Sequence, residues 1–249
     1  MTAANTPDTP DTPDTAAAAA AATDTATATA RAHSATLADL CRRAPVIPVL
    51  VIDRAETAAD LAAALVRGGL PVLEVTLRTP AALAAIAAMA HVPGAILGAG
   101  TVLGGADAAA ARDAGARFAV SPGATDGLLE ACADLDLPLL PGAATASEAM
   151  RLRERGYRVQ KFFPAAAIGG PAGLRALSGP LPDLLFCPTG GIDHDSAPGY
   201  LALPNVACVG GSWVTPRKLV ENREWAAITA LARQAAGLSA GRAAGSRDD

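Results

Sequence analysis

Lys161 is the residue around which chemistry could gather. The chain has eighteen arginines but only two lysines, Lys161 and Lys218, and Lys161 stands inside the apolar run VQKFFP at 159–164. An ammonium buried in such a strand costs several kcal/mol unless it is paired or gives up its proton. Desolvation favours the neutral amine, and a neutral lysine can condense with a ketone to form a Schiff base. The bland alternatives are a strand-end lysine snorkelling to water and a core lysine paired with a carboxylate.

A carboxylate and a guanidinium follow the same period. Side chains alternate along a strand, so Val72, Glu74, Thr76 and Arg78 fall on one face, and Leu73, Val75 and Leu77 on the other. Val159, Lys161 and Phe163 share a face by the same rule. The side of a strand that packs under helices is dry, so the polar set must point to the interior. Three ionisable groups converging there read as a site. The structural alternative is a buried Glu74–Arg78 ion pair that merely fills the interior.

Positioning these side chains needs a sheet buried on both faces. One alternation repeats along the chain: strands are expected over 45–52, 70–77, 95–101, 117–121, 137–140, 157–163, 184–187 and 205–209. Helices are expected over 37–43, 56–67, 80–90, 107–114, 126–133, 147–155, 173–177 and 224–236, with a short crossover over 195–203. Eight near-continuous apolar strands separated by helices are what an all-parallel sheet requires. About 200 residues for eight such units fits the small end of the α/β (β/α)₈ TIM barrel as a single domain. The runner-up is a doubly wound open sheet, but no GxGxxG turn follows the first strand.

The ends of the last two strands carry paired glycines. PTGG spans 188–191 and GGS spans 210–212, where barrels often hold phosphate after strands seven and eight. Paired glycines let backbone N–H groups approach an anion closely. GAGT at 98–101 brings another hydroxyl to the same rim.

Composition narrows the remaining classes. Net charge is −4 with both signs interspersed, so no basic stripe points to nucleic acid. Cys41, Cys132, Cys187 and Cys208, and His33, His91 and His194, are scattered without metal-ligand spacing, so no metal is expected. Free thiols and the lack of a long apolar stretch fit a cytoplasmic protein with no membrane partner. Residues 1–36 hold three Thr-Pro-Asp repeats, an alanine run and a Thr/Ala tract, and read as a disordered extension. No basic region precedes the alanines, which argues against a signal peptide. The barrel domain is expected over 37–238 and a flexible tail over 239–249.

Six segments in order carry a resemblance: LEVTLRT at 73–79, GAGTV at 98–102, SPG at 121–123, KFFP at 161–164, CPTGGI at 187–192 and GGSW at 210–213. Together they resemble the 2-dehydro-3-deoxy-6-phosphogluconate (KDPG) aldolase family over roughly 37–235. The resemblance implies a class I aldolase, built as a trimeric barrel, that releases pyruvate and glyceraldehyde 3-phosphate; some members also cleave 4-hydroxy-2-oxoglutarate. It implies Lys161 as the Schiff-base lysine and Glu74 as the general acid/base. It implies Arg78 and Thr101 as binders of the pyruvyl carboxylate, and Gly190, Gly191, Gly211 and Ser212 near the phosphate. Pro122, Phe163 and Thr189 join the substrate-binding set. The cofactor is none beyond the covalent imine, because the imine replaces a Lewis acid. Where relatives often carry a glutamate after the lysine motif, this chain has AAAIGG at 165–170. Two rivals stand beside this reading: an aldolase for the galactonate epimer, against which the hydroxyl of Thr189 weighs, and a non-catalytic phosphate-ligand barrel, against which Lys161 and Glu74 weigh.

Overall fold

A computed structural model describes residues 14–238, with side chains described from residue 24 onward. The helix α1 (Asp14–Arg42) leads into β1 (Val46–Leu50), and a 3-10 turn (Ala55–Thr57) opens α2 (Ala58–Arg67). Then β2 (Val72–Thr76), α3 (Ala82–Ala90), β3 (Ile96–Gly100), α4 (Gly105–Asp113), β4 (Phe118–Val120) and α5 (Asp126–Asp134) alternate. The next strand comes in two pieces, β5 (Leu139–Leu140) and β6 (Gly142–Ala143), followed by α6 (Ala146–Glu154), β7 (Val159–Phe162) and α7 (Gly170–Ser178). β8 (Leu185–Pro188), α8 (Ala197–Leu201), β9 (Val209–Gly211), α9 (Arg217–Glu221) and α10 (Trp225–Ala236) complete the described chain.

Every strand pairing is parallel. Six strands run in the order β5-β4-β3-β2-β1-β9, and three in the order β6-β7-β8. The break between the two sheets falls at Pro141, which has no N–H to give to a ladder. Its carbonyl still accepts the Lys161 N–H at 2.8 Å. On the other side, isolated parallel bridges join Phe186 to Val206 and Thr189 to Gly210. The result is an α/β fold with a curled parallel sheet, helices outside and a packed interior. The last strand forms three residues in a ladder later than the 205–209 expected, because Val209, Gly210 and Gly211 are the ones that pair with β1.

Two apolar clusters follow from the strand period. Leu73, Val75, Leu97, Ala99 and Phe162 pack outward under the helices. Ile47, Val72, Ile96, Phe118, Val120, Leu140, Val159 and Cys187 pack inward, closed from one end by Leu37, Ala38 and Cys41 of α1.

The extension needs a correction. Helix α1 begins at Asp14, so the disorder expected over 1–36 does not hold for 14–36. Ala30, His33, Ser34, Leu37, Ala38 and Cys41 form a buried stripe at helical spacing. The Ser34 hydroxyl accepts the Arg158 N–H at 2.9 Å, and His33 Nε2 lies 2.9 Å from Asp136 Oδ1. Glycine is required at position 156, at φ 96°, because an added Cβ would come 2.6 Å from the Thr27 carbonyl oxygen. The expectations for 1–13 and for the tail at 239–249 lie outside the described residues.

Candidate active site

β2 and β7 bring the predicted pair together. Lys161 Nζ lies 3.4 Å from Glu74 Oε1, and both residues are buried, 5% and 3% exposed. Their strands are not neighbours in a sheet. The contact therefore crosses the interior, as the inward alternation demands. Phe163 closes over the amine, with its ring centre 5.2 Å from Nζ.

The room for the carboxylate comes from a neighbouring strand. A Cβ on Gly100 would stand 2.2 Å from Glu74 Oε1, and one on Gly98 would stand 2.3 Å from the Phe118 ring. The two inward glycines of β3 thus admit a carboxylate above and an aromatic ring below. The sequence reading of GAGT rests on its threonine and gives Gly100 no part, because the contact with Glu74 is made across strands. Gly100→Ala is expected to displace Glu74 while leaving the fold intact. A misplacement of about 1 Å can cost about 10²-fold in rate, and comparing kcat with the far-UV circular dichroism spectrum checks it.

Arg78 behaves differently from the expected strand residue. β2 ends at Thr76, whose hydroxyl donates to the Leu50 carbonyl at 2.9 Å, and Arg78 is exposed on the following turn. Its Nε donates to Thr101 Oγ1 at 3.2 Å. The alternative of a Glu74–Arg78 ion pair is not what forms; Glu74 faces Lys161 instead. Thr101 holds φ at 60°, a left-handed conformation that only a few per cent of non-glycine residues adopt. Such strain clusters at ligand-binding positions.

The two glycine pairs have different local reasons. Gly190 and Gly191 sit at φ 102° and 71°, where an L side chain is strained. Gly210 and Gly211 have no such φ; they are small because Thr189 Oγ1 and the Trp213 ring would lie 2.3 Å and 1.7 Å from an added Cβ. Thr189 is buried beside them, and Ser212 is exposed at the rim. Pro122 abuts the strand carrying Gly142, whose added Cβ would meet the Pro122 carbonyl.

Below the amine the interior is neutral. Cys187 is the register partner of Lys161, and the Cys208 thiol donates to Cys187 Sγ at 3.5 Å. Hydrogen bonds with Cys187 and Cys41, and then full burial, hold the Cys208 thiol well above its usual range. Among the described residues, no group of three or more His, Cys, Asp or Glu side chains is placed to hold a metal ion. No helix among them is long and apolar enough to cross a membrane.

Known proteins share this sequence and fold. Residues 37–231 match the family described as KDPG and KHG aldolase. The chain belongs to that family. It is 50% identical over 197 residues to the 2-dehydro-3-deoxy-phosphogluconate aldolase of Pseudomonas aeruginosa, covering 79% of this chain and 90% of that one. It is 50% identical over 192 residues to the KHG/KDPG aldolase of Escherichia coli, covering 77% and 90%. Among solved structures, the KDPG aldolase of Legionella pneumophila superposes with a TM-score of 0.78 at 48% identity, covering 80% of this chain and 97% of that one. That enzyme was solved with pyruvate captured at low pH as a covalent carbinolamine intermediate.

Proposed function

We propose that this chain is a class I aldolase, a carbon–carbon lyase that cleaves 2-dehydro-3-deoxy-6-phosphogluconate to pyruvate and glyceraldehyde 3-phosphate. The observation that carries the reading is the buried Lys161–Glu74 contact at 3.4 Å, a nucleophile and a proton acceptor facing each other across the interior. The two sheets are read as arcs of one closed (β/α)₈ barrel spanning 37–238 as a single domain, supported by the parallel bridges between β8 and the last strand.

The chemistry follows from these positions. The neutral amine of Lys161 attacks the C2 ketone, giving a carbinolamine and, with loss of water, a protonated imine. Glu74 takes the C4 hydroxyl proton, directly or through a water. The C3–C4 bonding electrons flow into the imine, releasing glyceraldehyde 3-phosphate and leaving an enamine. Protonation at C3 and hydrolysis then free pyruvate and restore the amine. The imine is the electron sink, so the step asks for no metal. Arg78 and Thr101, already in contact, hold the pyruvyl carboxylate and fix the ketone in register. Pro122 and Phe163 wall the pyruvyl end. Thr189, Gly190, Gly191, Gly211 and Ser212 receive the phosphorylated end.

The same site cleaves 4-hydroxy-2-oxoglutarate to pyruvate and glyoxylate, supported by the E. coli relative at 50% identity. A homotrimer belongs to this reading, and Leu103, 63% exposed, is the kind of apolar side chain that an interface covers. So does a cytoplasmic location, supported by four free, buried cysteines.

Steady-state cleavage of the gluconate and galactonate phosphates tests the substrate. Higher kcat/KM on the gluconate epimer is expected. Preference for the galactonate epimer would overturn the substrate, and cleavage of neither would overturn the activity. Gly191→Ala, which puts a Cβ 2.7 Å from that of Ala166 at φ 71°, should disturb the phosphate end. Losing one charge-assisted hydrogen bond costs about 1.5–3 kcal/mol. The phosphorylated substrate should therefore lose about tenfold more kcat/KM than 4-hydroxy-2-oxoglutarate. Equal losses on both would place the phosphate elsewhere.

A further inference from the structure

A cavity of about 480 Å³ opens between the end of β1 and α9, and the reading above gives no part to the two arginines and two carboxylates that line it, Arg54, Arg217, Asp53 and Glu221. Val49, the register partner of Glu74, lies on its wall at one side, and Ser212 at another. It therefore spans from beside the carboxylate's strand position to the residue placed at the phosphate end. Val51, 52% exposed, lines the same space and leaves that stretch of wall apolar.

Two cations reach this cavity, Arg54 and Arg217. Arg217 is engaged: its Nε donates to Glu221 Oε1 at 2.7 Å and its Nη2 lies 3.6 Å from Asp53 Oδ2. Arg54 has no ion pair or side-chain hydrogen bond among the described residues. The other two basic side chains of the site are held at the pyruvyl end, Lys161 against Glu74 and Arg78 against Thr101. The residues assigned to the phosphorylated end, the hydroxyls of Thr189 and Ser212 and glycine backbone, are all neutral donors. A dianion seated on neutral donors keeps its charge uncompensated, and a guanidinium supplies both the charge and a two-pronged donor for phosphate oxygens.

We propose that Arg54 is the cation of the phosphate end, a binding residue that reaches over the Ser212 wall to the substrate's phosphate. The proposal rests on the aldolase reading and adds to it the residue that makes the site prefer phosphorylated substrates. Arg54 is exposed, so its pull is screened by salt, over about 10 Å at 0.1 M ionic strength.

The test is Arg54→Gln at low ionic strength. Its KM for the phosphorylated substrate should rise about tenfold, with kcat little changed, the size expected for one charge-assisted contact. The loss should be confined to that substrate and should shrink as salt is added. Arg54→Lys, which keeps the charge but not the fork, should recover part of it. Inorganic phosphate should inhibit cleavage of 4-hydroxy-2-oxoglutarate less in Arg54→Gln than in the wild type. Trapping of pyruvate by borohydride, compared between variant and wild type, reports whether fold and imine chemistry are intact. A wild-type KM in Arg54→Gln, or equal losses on both substrates, overturns the role of Arg54 alone. A wild type that neither traps pyruvate nor cleaves overturns the aldolase reading, and this proposal with it.

Discussion

Lys161→Arg should abolish turnover while leaving a folded protein. Arginine keeps the positive charge facing Glu74 but supplies no nucleophile, because a guanidinium does not lose its proton at any working pH. No imine can form without that amine, and among the described residues no other lysine is placed to replace it. The second lysine, Lys218, is exposed on α9 and does not face Glu74. Removal of a covalent nucleophile typically costs about 10⁴-fold or more in kcat. The expected rate is therefore at background, measured by coupling pyruvate release to lactate dehydrogenase. A melting temperature near that of the wild type would exclude unfolding as the cause. Retention of more than about a tenth of the activity would mean that the amine is not the nucleophile.

Glu74→Gln is the second large effect, and its pattern differs. Glutamine keeps the shape beneath Gly100 and an oxygen for the Lys161 amine 3.4 Å away, but it accepts no proton. Loss of a general base costs about 10²–10⁴ in rate. Carbon–carbon cleavage should slow by that factor while pyruvate still forms its imine on Lys161. Turnover and trapping therefore separate in this variant, whereas they are lost together in Lys161→Arg. Unchanged turnover would remove Glu74 from proton transfer.

What the sequence made legible were features with a strict period. Alternation placed Val72 and Glu74 inward and Leu73 and Val75 under the helices, and the two apolar clusters divide in that way. The same rule aimed Lys161 at the interior. Contacts set by tertiary packing were not legible. The stripe of α1 is made of Ala30, His33, Ser34, Leu37, Ala38 and Cys41, and only one of these is strongly apolar. Its docking depends on partners such as Arg158 and Asp136, more than 100 residues away in sequence. Composition alone reads its part up to residue 36 as disorder and only 37–43 as helix. Pro141 interrupts a strand only because its missing N–H falls where the sheet changes neighbours. Glycine at 98, 100, 210 and 211 is fixed by side chains on other strands, which no local turn signal reports. Arg78 lost its place in the strand because β2 ends at Thr76, two residues earlier.

The most direct measurement of the central claim is where pyruvate attaches. Incubation of the wild-type protein with pyruvate and borohydride should reduce the imine and leave a stable adduct on one lysine. Two lysines in the chain make peptide mapping nearly binary. The account predicts modification of the peptide containing residues 159–164, inactivation in step with it, and no protection by chelators. An adduct on Lys218, or chelator-sensitive activity without any adduct, would contradict the Schiff-base mechanism.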